Sequence, residues 1–177
     1  MKPTITTTIS LAFAAAVLTG CAKSEGEQPA QPDASASQPS TSAPAWILAS
    51  EPAGALSINQ AKESAKEGDE IIIKGRIGGR HAPMSPKSPV FTIVDLGLAY
   101  CGQDNDDACG TPWDYCCETP DTIAENAATV QVLGDSVDLS AADLKPLDEV
   151  VLIGTVGPRP DQRVLTILAT GLYPTGG

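Results

Sequence analysis

The sequence is poor in aromatic side chains, in histidine and in positive charge. Only 4% of its 177 residues are aromatic, so a core has to be assembled mainly from Val, Ile, Leu and Ala. There is one histidine and no G-x-S-x-G motif, which excludes the simplest hydrolase triads. Lys and Arg number 11 against 22 Asp and Glu, for a formal charge of −11. That balance argues against nucleic acid as a partner, because phosphate contacts need Lys and Arg. No second apolar stretch follows the N-terminal one, no internal repeat is evident, and the cysteines form no C-x2-C pair. Gly78-Gly79 lacks the Lys-Ser that would make a phosphate loop. Carboxylates are plentiful, but nothing singles out two of them for acid–base work. The expectation is a protein that is not an enzyme.

What is present begins with an N-terminal export pattern. Lys2 supplies the positive charge, and the apolar stretch Ile9–Leu18 is too short to remain as a membrane span. It closes on Leu18-Thr19-Gly20-Cys21, which resembles the lipobox of bacterial lipoproteins. The resemblance implies a signal peptide over residues 1–20 and lipid on Cys21. Ala22, rather than Asp, follows the cysteine, which implies the outer membrane of a Gram-negative-type envelope. The partners implied are the membrane, through the lipid anchor, and an envelope protein or glycan. Residues 21–44 are mostly Ser, Ala, Pro, Gln and Glu and read as a flexible lipid-anchored tether that cannot bury a core. Residues 45–177 remain for one domain, with 9 basic and 19 acidic residues and hence a charge of −10.

Within that domain, Ser57 and Gln60 have the spacing of a capping box, and the spacing predicts a helix over 58–67 with Gly68 beyond its end. β-branched runs predict strands at 70–77, 90–95, 128–133, 150–156 and 164–169, with a helical turn near Ser140–Leu144. Gly75 and Gly154 fall inside strands and signal bulges or bends. Five short strands with kinking glycines point to an all-β fold with a small helical contribution, closed as a five-stranded Greek-key barrel. The order of Gly68-Asp69-Glu70, Gly75-Arg76-Ile77, Phe91–Asp95, Ala128–Val132 and Leu147–Val156 resembles the bacterial OB-fold family of periplasmic proteins. The departure is the 96–127 insertion between the second and third strands, where a short turn is usual.

That insertion carries Cys101, Cys109, Cys116 and Cys117, the domain's full set of cysteines. In an oxidising compartment four cysteines read first as two disulfides. Neighbours Cys116 and Cys117 are poor partners for each other. This leaves Cys101–Cys116 with Cys109–Cys117, or Cys101–Cys117 with Cys109–Cys116. The competing reading is a four-thiolate metal site or a redox-active thiol pair. Trp113 and Tyr115 lie among these cysteines, either as a ligand platform or as a small core over them. Eleven acids and no base lie between Lys87 and Lys145.

Two weaker ligand sets are also legible. Asp104, Asp106 and Asp107 begin like a calcium loop but lack its glycine and terminal glutamate. His81 and Met84, in the loop after the first strand, carry donor atoms that suit copper. No cofactor is expected, with Zn²⁺, copper or Ca²⁺ as the alternatives. The functional expectation is a non-enzymatic binding module for a protein, glycan or cation. Trp113, Tyr115, Asp114, Glu118, Arg76 and Arg80 are its candidate contact residues. A metal or thiol-redox protein using the four cysteines and a structural envelope lipoprotein are the alternatives.

Overall fold

The computed structural model describes residues 44–104, 109–135 and 137–176. The export signal, Cys21, most of the tether, Asp106 and Asp107 lie outside the described residues.

Helix α1 (Ile58–Ser64) starts as its sequence requires. Ser57 Oγ accepts from the Gln60 N–H at 3.2 Å, and Gln60 Oε1 accepts from the Ser57 N–H at 3.0 Å. The helix ends three residues earlier than 58–67 predicts, because a turn competes for the next residues. The Lys66 N–H is taken by the Asp69 carboxylate at 2.8 Å, and Gly68 adopts a positive φ of 87°. The carbonyls freed at the helix end are met by Arg159, which donates to Lys62 O at 3.1 Å and to Ala65 O.

The strands are β1 (Glu70–Ile77), β2 (Val90–Val94), β3 (Ala127–Val132), β4 (Glu149–Val156) and β5 (Thr166–Pro174). They close into a barrel in the order β1-β2-β3-β5-β4, with β3 and β5 parallel and every other pair antiparallel. This is the expected all-β, OB-like barrel. β1 pairs with β4 along Glu70–Arg76 and meets β2 only at Arg76 and Ile77, so one strand serves both sides of the closure. The pairing runs through Gly75 without a register shift. Gly75 is needed instead for close approach: a Cβ there would sit 3.0 Å from Val94 O and 3.1 Å from methyls of Ile58 and Ile93. The shift lies at Ile153/Gly154, where a Cβ would come within 2.3 Å of Leu168 O.

β5 begins later and runs further than 164–169. Gly171 does not end it, because Leu48 occupies the space above that glycine, 2.8 Å from where its Cβ would lie. The segment carrying Leu48 is bound to β5: the Leu172 N–H donates to Trp46 O and the Leu48 N–H to Leu172 O, each at 2.8 Å. The predicted helical turn is a single 3-10 turn at Leu139–Ala142, whose Leu139 drops into the core. Ile58, Ile73, Ile77, Phe91, Ile93, Leu152, Ile167 and Leu172 fill the barrel interior. Each such side chain contributes about 1.5–3 kcal/mol on burial. Among the described residues no helix is long and apolar enough to cross a membrane.

Candidate metal centre

The cysteine-bearing connection leaves β2 at Asp95 and returns at β3, and both ends are fixed. Buried Asp95 accepts from the Asn59 N–H at 3.0 Å and the Gly97 N–H at 2.9 Å, tying the exit from β2 to the first turn of α1. The return is a helix that the strand-based reading missed, α2 (Pro120–Asn126). Its signal was present: Thr119 caps it, accepting from the Thr122 N–H at 3.1 Å, and Pro120 occupies the first turn. At its other end Lys62 Nζ donates to Ala124 O at 2.7 Å and Glu125 O at 2.9 Å. Burial, then Arg159 nearby, lowers the Lys62 pKa to about 8.

Between these ends, a 3-10 turn at Pro112–Asp114 brings the chain against the barrel. The Gly79 N–H donates to Trp113 O at 2.8 Å, and the Trp113 indole N–H donates to His81 O at 3.0 Å. Gly78 must be glycine for this contact, since a Cβ would lie 2.7 Å from Trp113 O and 2.9 Å from the Tyr115 ring. Asp114 braces the turn, accepting from Thr111 Oγ1 at 2.7 Å and the Cys116 N–H at 3.0 Å. The Thr111 bond, more than any other cause, holds its carboxyl below the usual range. Tyr115 then takes the left-handed conformation (φ 57°, ψ 38°) and reverses the chain. Its side chain is 0% exposed.

The reversal carries Cys116 and Cys117 back to the other cysteines. Cys116 Sγ lies 3.3 Å from Cys109 Sγ and 3.5 Å from Cys101 Sγ, and the Cys117 N–H donates to Cys101 Sγ at 3.2 Å. The sulfurs of Cys101, Cys116 and Cys117 lie within 4.8 Å of one another, as do the ligand atoms of Cys109, Asp114 and Cys116. The two disulfides expected from the sequence are not formed: all four cysteines are free. Cys116 faces two sulfurs at once.

Cys101 is the buried member, 5% exposed, whereas Cys116 and Cys117 are exposed. Burial opposes ionisation of Cys101, but hydrogen bonds from Cys117 and then from the Cys116 and Cys109 thiols draw its pKa below the ordinary thiol value. The same bonds push Cys116 up, with Cys109 the largest cause and Cys101 next, and push Cys117 up through Cys101. In the absence of a cation these bonds favour ionisation of Cys101 over that of Cys116 and Cys117. A bound metal ion reverses this preference, because its charge deprotonates coordinating thiols.

The remaining candidates divide by position. Trp113, Asp114 and Glu118 are half-buried beside the cysteines. Arg76 and Tyr115 are interior. Arg76 is 7% exposed, donates to Glu149 at 3.0 Å and stacks 5.0 Å from the centre of the Tyr100 ring. Burial alone would lower its pKa, but Tyr115 and Glu149 outweigh this and raise it. Arg80, His81 and Asp104 are exposed, and none joins a cluster of metal-ligating side chains among the described residues. Met84 packs against the hydrophobic core instead of joining His81 at the surface.

Arg80 instead lines a separate groove of about 650 Å³ on the barrel face. Its walls include Ile123 and Ala124 of α2 and Val164 and Leu165 before β5. At its rim the Arg163–Asp121 pair, at 3.7 Å, is exposed. No protein-family model matches the chain, and no curated protein matches it.

Proposed function

We propose that this chain is a non-enzymatic, lipid-anchored envelope protein whose OB-like domain binds a thiophilic metal ion. Cys101, Cys109, Cys116 and Cys117 are the ligands. The observation that carries this reading is the convergence of the sulfurs on Cys116, at 3.3 and 3.5 Å. A disulfide holds its sulfurs at about 2.05 Å. A tetrahedral zinc site with Zn–S bonds of about 2.3 Å separates its sulfurs by about 3.8 Å; the sulfurs of Cys101, Cys116 and Cys117, all within 4.8 Å of one another, come nearest to it, while Cys109 groups with Cys116 and Asp114. Zn²⁺ is the first choice and Cu(I) the second, because thiolates are soft donors. Ca²⁺ is unsuited, since it takes oxygen ligands. Four protein ligands leave a tetrahedral ion no open position, which accords with a binding or structural role rather than a catalytic one. The anchor and the outer-membrane location rest on the lipobox resemblance at Leu18–Cys21, and the family relationship on the order of the strand motifs.

The test is the mass of the full chain, exported in a bacterial host and purified without reductant or chelator. It is read native and denatured, with thiol alkylation. One metal ion per chain, with thiols that alkylate only after chelation, is the expected result. A mass four protons below the reduced value, with no metal and no alkylation, overturns it in favour of a disulfide-stapled binding loop. That second reading draws on the same short sulfur distances. Acyl labelling that disappears in Cys21→Ser tests the anchor separately.

A further inference from the structure

The groove on the barrel face owes one wall to α2, which belongs to the insertion, and it has no part in the cysteine cluster. Its volume, about 650 Å³, is that of an ordinary small-ligand site. Ile123 and Ala124 face Val164 and Leu165 across it, with Ala127 and Thr129 of β3 between them. None of its lining residues is a cysteine, a histidine or an aromatic. The wall is partly bare: Val164 is 38% exposed, among the most exposed large apolar side chains described.

The polar groups of the floor are already paired. The Thr92 N–H donates to Pro83 O at 2.9 Å, Thr92 O accepts from the Gly78 N–H at 3.1 Å, and the Thr92 hydroxyl donates to Gly78 O at 2.7 Å. The Thr129 N–H donates to Leu165 O at 2.9 Å. A polypeptide or a glycan needs donors and acceptors along its length when it leaves water, and this floor has few to give. An apolar chain needs none.

Charge singles out one end. The charged residues lining the groove are Arg80, Asp121, Asp161 and Arg163. Asp121 is paired with Arg163 at 3.7 Å. Asp161 accepts from the Arg163 N–H at 2.8 Å and the Val164 N–H at 3.1 Å, and it also borders the recess of Lys62 and Arg159. Arg80 remains. It is exposed and joins none of the ion pairs among the described residues, which are Arg76–Glu149, Lys145–Asp143 and Arg163–Asp121. Its base is fixed, because the N–H of neighbouring Gly79 is held on Trp113 O at 2.8 Å. A guanidinium without an acidic partner, at the edge of an apolar groove, is a fork for one carboxylate.

We infer that this groove binds a single-chain amphiphile with one anionic head, of the fatty-carboxylate class. The acyl chain lies along Ile123, Ala124 and Val164, and the carboxylate sits on the Arg80 guanidinium. The inference goes beyond the metal reading and does not depend on it.

The experiment uses the full chain with Cys21→Ser, which carries no acyl group of its own at that position. Dodecanoate is titrated into it calorimetrically, below the micelle concentration. Saturation at one dodecanoate per chain is expected. Acetate, which lacks the tail, and dodecyltrimethylammonium, which reverses the charge of the head, are expected to bind far more weakly. Arg80→Gln should weaken dodecanoate by about 10-fold or more. Ala124→Phe, which fills the groove from an exposed position on α2, should abolish its binding; both variants should melt with the parent chain. Absence of saturable dodecanoate binding overturns the inference, and zinc binding by the same sample would leave the metal reading standing. Equal affinity for the cationic amphiphile overturns it as well, since Arg80 would then select nothing. Unchanged dodecanoate affinity in either variant overturns it by placing the ligand elsewhere. A leucine-rich peptide with a free C-terminal carboxylate that binds more tightly than dodecanoate overturns it in favour of a polypeptide occupant.

Discussion

Every strand of the barrel is paired on both sides, whereas the described residues of 96–119 hold only a single 3-10 turn between β2 and α2. The barrel is held by alternating Ile, Val and Leu side chains that back one another, so each shares its neighbours' support. The cysteine segment has no such redundancy. It is joined to the barrel through the Trp113 carbonyl and indole, the Tyr115 ring against Gly78 and the Asp95 bridge to α1, and it closes on itself through sulfur. The fold therefore does not require the sulfur chemistry, but the geometry of the sulfurs requires the fold. That is the arrangement expected of a rigid scaffold presenting a site on a connection.

The sharpest way to break this relation is from the barrel side. Gly154→Val drives a side chain into the backbone at Leu168 and Ala169, and neither can yield without opening β4 from β5. The expected cost is about 3 kcal/mol or more, seen as loss of cooperative thermal unfolding, with metal binding lost as well. The converse substitution is Gly78→Val, which meets Trp113 O and the Tyr115 ring. It is expected to cost about 1–3 kcal/mol and to displace the cysteine segment while the far-UV spectrum of the barrel is kept. Protease cleavage within 96–119 and weakened metal binding are its readouts. If the barrel unfolds with it, the two regions are not separable.

Smaller effects sharpen the picture at the helices that flank the connection. Ser57→Ala removes one half of the capping box and should lower stability by about 1 kcal/mol in urea denaturation, without changing metal affinity. The smallest effect is the pH response of Lys62. Its folded-state pKa is lowered to about 8, mainly by burial. Below that pH the ammonium is charged in both states, and the full burial penalty is present. As pH rises from about 8 toward the ordinary lysine range, the folded chain has lost the proton while the unfolded chain still holds it. The domain thus gains stability across that interval. Lys62→Met should flatten this part of the profile, measured as midpoint against pH relative to the parent chain.

Much of the barrel was legible because β-branched runs and turn glycines act locally. Glu70–Ile77 is a strand by its own composition, and Ser57 with Gln60 is a cap by spacing alone. The misreadings occurred where a distant residue decides. The fifth strand was read as ending at 169, whereas β5 runs on to Pro174, with Leu48 filling the space above Gly171. The helix at Pro120 was overlooked among the cysteines although Thr119-Pro120 announced it. In the candidate site the residue types were legible and their arrangement was not. Spacing along the chain cannot show that Cys116 faces both Cys101 and Cys109. Nor can it show that a tyrosine in an acidic, irregular stretch turns left-handed and goes inside. Arg76 lies on the first strand as read, but its enclosure by Glu149 and Tyr100 could not be seen from the sequence.

The parallel pairing of β5 with β3 also governs the order in which this molecule can assemble. β1 must wait for β4, since Glu70 registers with Thr155, and neither β3 nor β4 gains its second partner until β5 arrives. A chain released gradually, from its N-terminus onward, holds two open edges until its last strand emerges. Long-range pairing of this kind folds in milliseconds to seconds rather than microseconds. During that interval Cys101, Cys109, Cys116 and Cys117 have already emerged, on a segment whose supporting barrel is not yet closed.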